Sequence, residues 1–101
     1  MPSMPQIIIS AKASRDLQKI REYLLQFNSE AAQKAAATII EATNQLMIHP
    51  MLGKPLEDIP EYRELITPFG SGTYIIRYRA VVDKIIILGI KHSKEKGLYA
   101  L

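Results

Sequence analysis

The run Ile85-Ile86-Ile87-Leu88-Gly89-Ile90 is the longest apolar stretch in the chain. It is far shorter than the roughly 20 residues of a membrane-crossing helix. β-Branched residues on both of its faces predict a strand, Ile85–Lys91, that lies inside a sheet and not at its edge. The preceding segment, Thr73–Val81, alternates: Tyr74, Ile76 and Tyr78 point one way, Ile75, Arg77 and Arg79 the other. Val82-Asp83-Lys84 turns the chain between these two strands. Tyr62–Thr67 reads as a third strand, joined to Thr73–Val81 through the turn Phe69-Gly70-Ser71-Gly72. Three strands in a row with short turns predict an antiparallel meander.

A sheet with apolar residues on one face needs a cover, and the first half of the chain supplies it. Gln6–Ile9 is a short strand. Ala13, Leu17, Ile20, Leu24 and Phe27 then recur at helical spacing with Tyr23 alongside, while Lys12, Arg15, Asp16, Lys19 and Glu22 are expected on the wet side. Ser10 or Ser14 can cap this helix. Asn28-Ser29 interrupts the pattern and can cap a second helix, from Glu30 to Ile48, whose apolar face uses Ala32, Ala35, Ala36, Ile39, Ala42, Thr43, Leu46 and Met47. A link this short makes the two helices an antiparallel hairpin. Pro50 stops the second helix by disfavouring α geometry at His49. Pro50, Gly53, Pro55 and Pro60 mark an ordered loop. The expected architecture is a single α+β domain over residues 1–101, ordered β-α-α-β-β-β, with both helices on one sheet face.

The 101 residues contain no cysteine, which excludes disulfides, thiol catalysis and thiolate metal sites and fits a reducing compartment. With no basic region ahead of an apolar stretch at the N-terminus, no secretory leader and no membrane partner are expected, and the expected location is the cytoplasm. Two histidines, His49 and His92, are too few for a tetrahedral metal site. Gly70-Ser71-Gly72 lacks the lysine and the following helix of a phosphate-binding loop, so no cofactor is expected. Charge is uneven. Residues 1–62 carry six Lys/Arg against seven Asp/Glu, and residues 63–101 carry seven against three. The positive field of the last third suits an acidic partner.

Four segments in this order resemble the ParE/RelE toxin superfamily of bacterial toxin–antitoxin modules. They are Ser10–Leu25 with its Asp16-Leu17; the corner His49-Pro50-Met51-Leu52-Gly53-Lys54-Pro55; Tyr62-Arg63-Glu64-Leu65 followed by Tyr74-Ile75-Ile76-Arg77-Tyr78-Arg79; and the strand Ile85-Ile86-Ile87-Leu88-Gly89-Ile90-Lys91-His92 with basic residues after it. The helical hairpin and the His-Pro-x-x-Gly corner are closer to the ParE branch. That resemblance implies a toxin that poisons DNA gyrase and is held inactive by a cognate antitoxin in a hetero-oligomer. The alternatives are a RelE-type ribosome-dependent mRNA interferase and a toxin-fold interaction module with no active target.

RNA cleavage needs a base for the 2′-hydroxyl, an acid for the leaving oxygen and cations for the phosphate. Arg63, Glu64, Arg77, Arg79, Lys91, His92 and Tyr99 are the candidates. The RelE-like pattern places cations where Leu65 and Ile75 stand, and an aliphatic side chain can neither clamp a phosphate nor move a proton. The expectation is therefore no catalytic residue, no enzyme activity and no direct nucleic-acid specificity. The target is expected at Lys91, His92, Lys94 and Lys96. The antitoxin is expected in a groove whose apolar floor is Tyr23, Leu24 and Phe27 and whose basic rim is Arg77 and Arg79.

Overall fold

The structure is a computed structural model that describes residues 4–94. The chain runs β1 (Gln6–Ile9), α1 (Ala11–Leu25), α2 (Ser29–Ile48), β2 (Lys54–Pro55), β3 (Tyr62–Phe69), β4 (Gly72–Val81) and β5 (Lys84–His92). The five strands form one sheet in the order β1-β5-β4-β3-β2. β3, β4 and β5 are the expected meander, and β1 lies parallel to β5, which places β5 inside the sheet. The two-residue strand β2 sits within the expected loop and pairs with Arg63 and Glu64. Two paired residues are too few to leave an apolar alternation in the sequence.

The helices begin at the capping residues. Ser10 Oγ accepts from Ala13 N and Asn28 Oδ1 accepts from Glu30 N, each filling a donor that the first turn leaves open. α1 ends at Leu25, so Phe27, expected on its apolar face, lies beyond the helix. It is 70% exposed and stands edge-on to Tyr23. The small side chains Ala32, Ala35 and Ala42 are buried on α2 and let α1 approach. Both helices cover the sheet face that carries Tyr74, Ile76 and Tyr78, all at 0% exposure, and Ile85, Ile87 and Ile90 complete this core. Among the described residues no helix is long and apolar enough to cross a membrane.

β5 does not alternate strictly, and the structure shows why. Arg77 pairs with Gly89 but Tyr78 pairs with Ile87, so Leu88 is an extra residue, a β-bulge. Ile85 and Ile87 face the helices before it, and Ile90 and His92 face them after it. β1 ends opposite Ile87, and the start of α1 takes over its hydrogen-bonding role along β5. Ser10 N donates to Ile87 O at 3.0 Å, Ser10 Oγ donates to Leu88 O at 3.3 Å, and Asp16 Oδ2 accepts from Ile90 N at 3.0 Å. Asp16 was expected on the wet side of α1. It is 3% exposed because its carboxylate closes the bulged strand, and Lys12 Nζ at 2.7 Å balances its charge.

Asp16→Ala leaves the Ile90 amide buried without an acceptor and is expected to cost about 1–3 kcal/mol in urea unfolding. Asp16→Asn keeps an acceptor and should cost less. Lys12→Ala takes the cation from a nearly buried carboxylate and should also lower the unfolding midpoint.

Candidate functional site

The corner after α2 is built by its neighbours. Tyr78 rises from β4 on the helix face, and its hydroxyl accepts from Gly53 N and donates to Pro50 O, each at 2.8 Å. A Cβ on Gly53 would lie 2.6 Å from Tyr78 Cε1, so only glycine admits the ring this close. Arg63, opposite Tyr78 on β3, donates to Gly53 O at 2.7 Å and to Met51 O at 3.2 Å. The His-Pro-x-x-Gly motif is thus a backbone shape locked by one phenol and one guanidinium. It holds Met51, 65% exposed, and Leu52, 47% exposed, at the surface.

Burial pushes the Tyr78 hydroxyl above its ordinary value of 10.0, against the opposing pull of the Gly53 hydrogen bond and the Arg63 charge.

At the far end of β5, His92 is 9% exposed and sits edge-on to Tyr74 and Phe69. Its Nδ1 accepts from Lys94 N at 3.2 Å, so Nε2 is the donor to Phe69 O at 2.9 Å. Gly70, at φ +63°, supplies the first position of the two-residue turn into β4 beside this histidine. Of the residues expected to meet the target, Lys91 faces the opposite side of the sheet from His92, because neighbours in a strand alternate. Lys94 is exposed after the strand. Lys96 lies outside the described residues, as does Tyr99.

The open sheet face holds the expected basic rim. Arg77 donates through Nε (3.1 Å) and Nη2 (2.8 Å) to Glu64 Oε2 across β3 and β4. Arg79 is exposed on the same face. Tyr23, Leu24 and Phe27 belong to the hairpin on the other face. The single groove expected to combine these two sets does not exist, because the sheet lies between them. A groove does run between α1 and α2. It encloses about 510 Å³, is lined mainly by apolar groups including Leu17, Ile20, Leu25, Ile39, Ile40 and Ile87, and has Arg21 at its edge. Leu17 and Ile20 on α1, and Ala36 and Ile39 on α2, were legible as the apolar stripes of the two helices. That Leu25 and Ile40 join them depends on how the two helices cross.

His49 is exposed at the end of α2, and the described residues contain no cluster of three or more metal-ligating side chains.

This hairpin-on-sheet fold with its pinned corner has known relatives. Residues 7–97 match the family model for the ParE toxin of the type II toxin–antitoxin system parDE. The chain belongs to this toxin family. It is similar to Toxin RelE3 of Caulobacter vibrioides, 34% identical over 93 residues that cover 92% of this chain and 99% of that protein. Toxin RelE1 of the same organism is 28% identical over 90 residues, covering 89% and 95%. Among solved structures, a chain of the chromosomal ParDE system from P. aeruginosa superimposes with a TM-score of 0.70 at 27% identity, covering 88% of this chain and 96% of that one. The protein is a type II toxin with a cognate antitoxin as its partner.

Tyr78→Phe strands Gly53 N and Pro50 O and is expected to lower stability by about 1–3 kcal/mol at neutral pH. A phenol raised in the folded state contributes stability below the unfolded value of about 10 that is lost as pH rises further. Unfolding curves from neutral to alkaline pH should show that loss in the wild type and a weaker one in Tyr78→Phe.

Proposed function

We propose that this toxin arrests growth by binding DNA gyrase and not by cutting RNA, and that its antitoxin seats an apolar helix in the groove between α1 and α2. The observation that carries the first half is the prior engagement of the polar groups a nuclease would need. Arg63 is spent on the carbonyls of Met51 and Gly53, Arg77 on Glu64, and both ring nitrogens of His92 on backbone groups. Leu65 and Ile75 stand where RelE-type chemistry calls for cations. Among the described candidates only Arg79 and Lys91 keep their charged groups free of such contacts, and RNA cleavage calls for a placed acid, a placed base and a cationic clamp together.

The competing reading is ribosome-dependent mRNA cleavage, which the RelE names of the relatives keep in view. Purified toxin added to gyrase and relaxed plasmid should inhibit supercoiling or accumulate cleaved DNA. The same toxin added to translating ribosomes should leave mRNA intact. Cleavage of mRNA at stoichiometric toxin would reverse the assignment.

The groove reading rests on its apolar lining and on the antitoxin partnership of the family. A segment that folds into such a groove can bury enough area to offset its ordering. Ile40 lines the groove and is 58% exposed, so replacing it spares the core. Ile40→Glu is expected to weaken antitoxin binding about tenfold or more by calorimetric titration, with the unfolding midpoint nearly unchanged. Unaltered affinity would place the antitoxin elsewhere.

A further inference from the structure

The sheet face turned away from the helices carries a pattern that the fold does not use. The register places Lys54, Arg77, Arg79, Lys84 and Lys91 on it, with Glu64 as the facing carboxylate. Glu64 pairs with Arg77, and among the described residues the other four cations make no ion pair. Between them run Ile8, Ile86, Ile75 and Ile66, the last 60% exposed. Neither helix covers this face.

We propose that this open face, centred on Ile66, Ile75 and Arg79, is the surface through which the toxin meets its target protein, and that the target presents an acidic surface with an apolar centre. The proposal rests on the reading that the toxin acts by protein contact, and not on gyrase being that protein. Charge complementarity selects the occupant. A second copy of this chain would set cations against cations, which electrostatics disfavours. A nucleic acid would satisfy the cations through its phosphates but offer the exposed Ile66 and the half-buried Ile75 beside it no apolar partner. An acidic protein surface satisfies both, in the usual arrangement of apolar centre and polar rim. Lys91 belongs to this face, whereas His92 beside it is turned into the core.

The test induces the full-length toxin without antitoxin and follows growth. Arg79→Glu/Lys84→Glu changes two exposed side chains and should abolish growth arrest, while antitoxin affinity stays within about twofold and the unfolding midpoint holds. Ile66→Asp should act in the same direction. Should the double reversal unfold, Arg79→Gln and Lys84→Gln, each folded, should give a graded loss of toxicity. Full toxicity in the folded variants would overturn the proposal. An antitoxin affinity lowered about tenfold or more would also overturn it, because the face would then belong to the antitoxin. So would wild-type binding to a duplex of about 20 base pairs at about 0.15 M salt that the double reversal abolishes. Wild-type toxin that arrests growth without binding purified gyrase ends the gyrase reading alone. Loss of arrest in the folded double reversal then still supports the open face.

Discussion

The bulge at Leu88 and the two side chains that answer it organise the whole domain. A parallel strand of only four residues leaves the last part of β5 without a backbone neighbour on that side. Ser10 and Asp16 fill the gap from the first two turns of α1, so strand and helix form one continuous hydrogen-bonded edge. A buried amide without an acceptor costs more than a typical hydrogen bond gains, so the position of α1 over β5 follows from this demand. The position of α1 in turn sets where α2 lies, and the apolar groove is the space the two helices leave between them.

A second constraint works from the other side of the core. Tyr78 and Arg63 reach from adjacent strands into the backbone of the corner after α2. They fix the path by which the chain enters the sheet through β2. Their polar atoms are engaged by the backbone of Pro50, Met51 and Gly53. The described surface divides into an apolar groove on the helical side and a cationic sheet face on the other.

Much of this was legible in the residues. The alternation from Tyr74 to Tyr78, the helical spacing from Ala13 to Leu24 and the breaks at Asn28 and Pro50 led to the correct elements and to the correct covered face. Each is a local pattern with a single physical reading. Asp16 was misplaced because a carboxylate counts as a wet residue in any periodicity argument. Its spacing from Ala13 and Ile20 nonetheless put it on the apolar side, and that conflict was the available signal. Phe27 was misplaced because an apolar period can outlast the helix that begins it.

The sequence by itself determined the element types, their order and the chemical asymmetry of the β4 strand, because propensity, capping and period act over a few residues. Tertiary structure decided the parallel pairing of β1, the bulge, the pinning of the corner and the fate of each arginine. Those depend on which distant groups arrive within about 3 Å of one another. Arg63, Arg77 and Arg79 are the same residue type on neighbouring strands. One is a backbone clamp, one a cross-strand ion pair and one an exposed charge, and only the register between β3 and β4, with the corner folded against it, separates those roles.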